Sequence, residues 1–465
     1  MSKTQQSTLA KALEINKNPE IYGAFAEIGA GQEVARFFFQ AGHASQTIAK
    51  TISAYDMIYS DEIYGREENG RYVCESRLGK MLDKEFHLLH RRLDQTRGPR
   101  TTFFAFANTV ATGDQKRRSC HGWMGIRFQK KPLGPHNDIV LHVRMLDKYR
   151  LQQQEALGVL GVNLAWAAYH ASDKMETLIP AIVDNLKEGQ VAIDMIRCSG
   201  PDLKHMNNHL LNLELVKRGL AEAILFGPDA SILSLGDQLF SKPLIIERGN
   251  FRPVTRTHMD LLQKAKAQFG KEFPDCKKEP LVLFELPMRS LKADGTDNLD
   301  EKDFLERVRA LASTGHHVMV SNFLQFYRLK QFLRNSTRES IGLIIPANHL
   351  ERVFDPKHYQ DLDGGLLEGM GKFLDEGTHL FVYPHKIKDL CTTAQSFFPS
   401  AELLPIYQYF RNQKWILDLA GCDEADEYIH SEDVRQRIVK KETGWEQLVP
   451  EPVAHLIKKD HLFGF

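Results

Sequence analysis

Four stretches of this chain place cationic, amide and hydroxyl side chains directly behind runs of apolar residues. Residues 191–196 lead into Arg197-Cys198-Ser199-Gly200-Pro201-Asp202, and residues 221–226 into Gly227-Pro228-Asp229. Residues 244–247 lead into Arg248-Gly249-Asn250-Phe251-Arg252, and residues 317–320 into Ser321-Asn322. A strand that ends in Gly, Ser or Asn before a helix exposes backbone N–H groups, and a guanidinium beside them favours an anion such as phosphate. The candidate ligand-binding residues are therefore Ser199, Arg248, Asn250, Arg252, Ser321 and Asn322. The arginines would grip a phosphate and the small polar groups would orient it. The same Ser, Asn and Asp side chains also serve as helix N-caps.

Three acids, Asp194, Glu247 and Glu285, lie inside or at the ends of apolar strands. A buried carboxylate is costly unless it is paired or metal-bound. Asp194 and Glu247 are the candidate catalytic residues, as general acid or base. The same acids can hold Mg²⁺ beside a phosphate, or pair with Arg197, Arg248 or Arg289. His205 with His209, and His87 with His90, have helical metal spacing, but the Glu of H-E-x-x-H and a third ligand are missing, so no metal site is predicted. Asp361-Leu362-Asp363-Gly364-Gly365 resembles a calcium loop without its distal Glu and reads as a capping turn. Gly29-Ala30-Gly31 reads as a helix break, and Lys116-Arg117-Arg118 and residues 423–427 as charged surface turns. The G-x-S-x-G, Walker and kinase signatures are absent.

The elements that must position these residues follow from periodicity. Residues 1–100 read as a helical arm, with Leu9, Leu13, Ile21, Phe25 and Ile28 at helical spacing. Residues 101–147 carry three β-rich runs. From residue 151 helices and strands alternate, which implies crossovers and parallel sheets covered on both faces. Pro280 and the charged run before it suggest a boundary near 272–280. The expected class is α/β, with two Rossmann-like units: 101–271, including the β-rich segment, and 280–420. A charged tail over 421–465 follows, and a TIM-like barrel is the alternative.

The chain has 465 residues, of which 42% are hydrophobic, enough for a sizeable core. Sixty Lys plus Arg balance sixty Asp plus Glu. That balance argues against a dedicated nucleic-acid binder and removes the repulsion that opposes self-association. No apolar run reaches membrane-spanning length and no signal segment opens the chain, so a cytoplasmic location is expected. The six scattered cysteines then read as reduced thiols.

Several stretches together resemble a bacterial cytoplasmic family of about this length. They are Glu33-Val34-Ala35-Arg36-Phe37-Phe38, Ile48-Ala49-Lys50, Ser53-Ala54-Tyr55-Asp56-Met57, Glu155-Ala156-Leu157-Gly158, residues 247–254, Val320-Ser321-Asn322 and residues 361–365. Its members carry the names nicotinate- or nicotinamide-nucleotide adenylyltransferase or TonB-dependent receptor. An outer-membrane receptor needs a signal peptide and alternating ten-residue strands, which this chain lacks. The adenylyltransferase motif [T/H]-x-G-H finds only Gly42-His43, and I-S-S-T-x-x-R only Asn335-Ser336-Thr337-Arg338 with the arginine displaced.

Two functions follow as expectations. One is binding of a nucleotide or phosphorylated metabolite at the strand ends, with transferase chemistry as an extension. The other is self-assembly into a ring or filament as a homo-oligomer, through the apolar arm and the Leu462-Phe463-Gly464-Phe465 tail.

Overall fold

Ile21–Ile28 is apolar at nearly every position, the pattern of a strand covered on both faces. In the computed structural model it is the first strand of an α/β fold. The structure describes residues 6–68, 70–113, 120–292, 298–422 and 428–465, so the turns at 116–118 and 423–427 lie outside the described residues. The chain divides into two units, Met1–Ala221 and Glu222–Phe465.

The first unit holds β1 (Ile21–Ile28), β2 (Ile48–Ala54), β3 (Thr102–Ala111), β4 (His121–Gln129), β5 (His136–Met145) and β6 (Val191–Ser199). Its helices are α1 (Thr8–Lys17), α2 (Glu33–Ala41), α3 (Met57–Tyr64), α4 (Glu75–Leu93), α5 (Arg150–His170), α6 (Met175–Ile182) and α7 (Asn208–Lys217). The sheet order is β2-β1-β3-β4-β5-β6. β2, β1 and β3 run parallel, and β3 to β6 run antiparallel. Phe25 packs between Phe38, Phe104 and Phe106 at ring-centroid distances of 4.9, 5.4 and 5.6 Å. α5 closes this face through Gly161, where an added Cβ would stand 2.3 Å from Val34 Cγ2. α4 covers the other face, its Leu78 and Leu82 lying against Gly125.

The second unit holds β7 (Ala223–Phe226), β8 (Ile232–Leu233), β9 (Leu244–Arg248), β10 (Leu281–Pro287), β11 (His317–Ser321), β12 (Ile341–Pro346), β13 (Thr378–Tyr383), β14 (His385–Ile387), β15 (Leu390–Thr392) and β16 (Ile416–Asp418). Its helices are α8 (Leu235–Leu239), α9 (Arg256–Glu272), α10 (Glu301–Ala312), α11 (Phe326–Leu333), α12 (Leu350–Val353), α13 (Gly365–Phe373), α14 (Leu404–Asn412), α15 (Ser431–Val439) and α16 (Glu451–Asp460). The sheet order is β16-β13-β12-β9-β10-β11-β7-β8, with β16 through β11 parallel and β7 antiparallel to β11. From β9 the chain winds outward through β10 and β11, then returns to β12 on the other side of β9 and continues to β13 and β16. This reversal is the topological switch of a doubly wound sheet. Local signals behave as read: the Asp300 side chain accepts the Asp303 N–H at the start of α10, and Gly315 follows its end at φ +81°.

The α/β class holds, and both sheets are open, so the barrel alternative is not realised. Four details are corrected. The arm over 1–100 contains β1 and β2, because apolar residues on both faces of a short strand mimic helical spacing. Strand 191–199 pairs antiparallel with β5 and closes the first sheet instead of opening a parallel unit. The segment at 272–280 is no boundary but the return from α9 to β10, which pairs with β9; the division falls at Ala221. The tail after 421 folds onto its own unit: Leu462 and Phe463 are buried, the Phe463 N–H donates to Glu306 Oε2 at 2.8 Å, and Asp460 pairs with Arg309. Arm and tail, the two segments on which self-assembly rested, are thus packed within their own units.

Among the described residues no helix is long and apolar enough to cross a membrane. Cys391 and Cys422 form a disulfide that ties the β14–β15 hairpin to the segment after β16, which corrects the expectation of six reduced thiols. Truncating Phe463 to alanine should empty a buried ring site and cost about 3 kcal/mol. Urea denaturation checks this, and an unchanged midpoint would contradict the tail's docking.

Candidate anion-binding cavity at the switch of the second sheet

In open parallel sheets ligands bind beyond the carboxyl ends of the strands, at the switch point. A cavity of about 670 Å³ lies there in the second unit. Its walls come from the ends of β9 and β10, the start of α11, the turn into α12, and residues 428–432.

β9 sends Glu247 and Arg248 to opposite faces because side chains alternate along a strand. Arg248 Nε donates to Glu285 Oε2 at 2.5 Å and Nη2 to Glu285 Oε1 at 3.1 Å. Nη2 also donates to the Phe323 carbonyl and Nη1 to that of Leu324, both at 3.0 Å. The guanidinium stacks over Phe326 at 4.6 Å. Glu285 is fully buried, and the Ser321 hydroxyl also donates to it. Four of the five guanidinium N–H donors are engaged, and the charge is matched. Arg248 is therefore a structural lock between β9, β10 and the loop after β11, which corrects its expected role as the phosphate grip.

The cations left over are Arg289, on the turn after β10, and Arg352, on α12 after β12. Both are exposed, both line the cavity, and neither has a hydrogen-bond or ion-pair partner among the described residues. Burial and the neighbouring charges of Arg248 and Arg352 pull the Arg289 guanidinium down, with Glu285 opposing. His349 is held at about 4 by burial, Arg352, His385 and Arg289, so it is neutral at pH 7. Against these guanidiniums the described cavity wall carries one carboxylate besides Glu247, that of Glu432, which lies 3.7 Å from Arg435.

Glu247 meets the opposite situation. It is 3% exposed, lines the cavity, and its Oε2 is buried without a hydrogen bond. Its neighbours across the sheet are Phe284 and Ile344. Burial raises its carboxyl well above the ordinary 4.5 and so favours the protonated form. His258, on α9, is kept near 4 by burial and is tied to Thr255. Burial, and then the proximity of Glu247, raise the Tyr428 hydroxyl, which stays protonated.

The other expected residues go elsewhere. Asn250 lines the cavity, and its carbonyl accepts from Arg307 Nη1 at 3.1 Å. Arg252 is outside the cavity wall and pairs with Asp303 at 2.6 Å. Ser321 is buried and committed to Glu285, and the Asn322 N–H donates to the Glu222 carbonyl at 2.9 Å. Asp194 and Ser199 belong to the first sheet and share no strand edge with Arg248. Ser199 borders a 220 Å³ recess with His136 and Gly200. Asp194 lies 2.5 Å from His142 Nδ1, whose Nε2 is 3.0 Å from His121 Nδ1. Burial alone would raise Asp194, but His142 and Arg144 outweigh it and hold the carboxyl low. The three acids expected near Mg²⁺ are thus separated, and the described residues contain no cluster of metal-ligating side chains. Asp361 accepts from the Tyr327 hydroxyl and from Arg328 ahead of α13, as a turn. Sequence reasoning misses Arg352, His349 and Tyr428: the first two are marked only by a position shortly after the end of β12, unreadable before strand order is known, and no local pattern marks Tyr428.

Replacing Arg248 with Met strands the Glu285 carboxylate and should cost about 3–5 kcal/mol, part of which a second change, Glu285→Met, recovers. Thermal and chemical denaturation of the single and double variants check this. For Glu247 the sign is opposite. Its folded form holds a proton that the unfolded chain releases above 4.5, so stability falls as pH rises past that value. Glu247→Gln should therefore gain stability over the parent progressively as pH rises above 4.5. A pH-independent difference would contradict a raised Glu247 carboxyl.

No family model matches the chain, and no curated protein matches it. Among solved structures, the competence/damage inducible protein CihA from Agrobacterium tumefaciens is similar at 18% identity, over 36% of this chain and 98% of that one, with a TM-score of 0.25. A likeness of that degree carries no argument about function.

Proposed function

We propose that the second unit binds a small molecule bearing a phosphate or a comparable dense anionic group in the cavity at the β9/β12 switch. The observation that carries this reading is the convergence of Arg289 and Arg352, both without partners among the described residues, on one concave site at the carboxyl ends of parallel strands. Two guanidiniums left facing one another repel, and a bound dianion converts that repulsion into charge-assisted hydrogen bonds. The volume is in the range of sites that take metabolite-sized ligands. Asn250 and the Gly249 backbone at the mouth supply further polar groups.

Thermal-shift and calorimetric titration with phosphate, pyrophosphate, sugar phosphates and nucleotides test the reading. A ligand at a hundred times its dissociation constant should stabilise the unit by about 2.7 kcal/mol. Arg289→Ala and Arg352→Ala should each weaken binding about tenfold or more. Absence of any phosphate-dependent stabilisation, or binding indifferent to both substitutions, would refute it.

A further inference from the structure

The deep wall of the same cavity makes a demand that the arginines do not meet. Glu247 stands at the carboxyl end of β9, 3% exposed, with Oε2 buried and unpartnered. Its strand neighbours Phe284 and Ile344 offer no polar side chain, and His258 is already bonded to Thr255. An unsatisfied carboxyl of this kind is costly to fold. It touches a cavity, so a ligand can satisfy it.

From this geometry we infer that Glu247 reads the non-anionic end of the ligand, and that this end is a planar amide or amidine edge of the nucleobase type, with a hydrogen-bond acceptor beside an N–H donor. The inference rests on the reading of the cavity as an anion site. An un-ionised carboxyl has one O–H donor next to one carbonyl acceptor, the complement of such an edge. Burial, which raises the carboxyl, favours that state. The surroundings suit a flat ring: Phe251 and Tyr428 line the cavity, with Phe251 packed on Phe284 at 5.1 Å and on His258 at 5.0 Å. Arg289 and Arg352 would take the phosphate while Glu247 selects the base. Glu247 is thus a specificity residue.

The test is calorimetry on the full chain with ribose 5-phosphate and with AMP, CMP, GMP and UMP. At least one nucleotide should bind about tenfold or more tighter than ribose 5-phosphate. Glu247→Gln, which keeps a donor beside an acceptor, should retain that preference. Glu247→Leu should abolish it, bringing every nucleotide to the affinity of ribose 5-phosphate measured on the same variant. Equal affinity of ribose 5-phosphate and all four nucleotides for the parent protein would overturn the inference and needs no variant. So would a nucleotide preference that survives Glu247→Leu, or one lost in Glu247→Gln. In each of these cases the anion reading stands on the ribose 5-phosphate result. Failure of ribose 5-phosphate and of every nucleotide to bind would instead remove the anion reading, and this inference with it.

Discussion

Arg248 and Glu285 face each other across two adjacent parallel strands, beside the point where the second sheet reverses its winding. Neither charge tolerates that place alone, since a desolvated carboxylate or guanidinium is several kcal/mol less stable than in water. Together they are stable because the pairing is two-pronged and the remaining guanidinium N–H groups reach the Phe323 and Leu324 carbonyls. The arrangement fixes the ends of β9 and β10 and the loop after β11 in one geometry. Everything the cavity presents is measured from that fixed edge. The lock also consumes the charge of Arg248, so attraction for an anion has to come from arginines further out.

The cavity combines two unsatisfied features of opposite kind. Among the described residues Arg289 and Arg352 have no hydrogen-bond or ion-pair partner, and Glu247 Oε2 is buried with no hydrogen bond. The buried, unpaired carboxyl is costly to the fold, and stability given up in this way is a mark of functional sites. The far wall, bearing Tyr428 and His430, is held by contacts remote from the sheet. The Tyr428 N–H donates to the Lys386 carbonyl, and the Cys391–Cys422 disulfide joins the hairpin of Lys386 to the segment leading to Tyr428.

Three acids embedded in apolar strands thus have three outcomes. Glu285 is paired with an arginine, Asp194 is held low by His142 in the first sheet, and Glu247 is raised by burial beside the cavity. In sequence they look alike: one carboxylate among Val, Ile, Leu and Phe. What separates them is the neighbour across the sheet. Glu285 lies in register with Met319 and Arg248, whereas Glu247 lies between Phe284 and Ile344.

The amino-acid sequence by itself determined the α/β class, the run of parallel strands after residue 240, the capping of α10 by Asp300 and its end near Gly315, and the presence of polar groups behind β9. These are local properties of short windows, set by periodicity, capping and turn chemistry. It did not determine that Ile21–Ile28 is a strand, because a segment covered on both faces has no distinguishing period. Only the tertiary structure decided that Arg248 is spent on Glu285, that Asp194 and Ser199 belong to another sheet, and that Arg289, Arg352 and Glu247 share one cavity. Those facts depend on which strands become neighbours, and strand order is settled by packing between segments far apart in the chain.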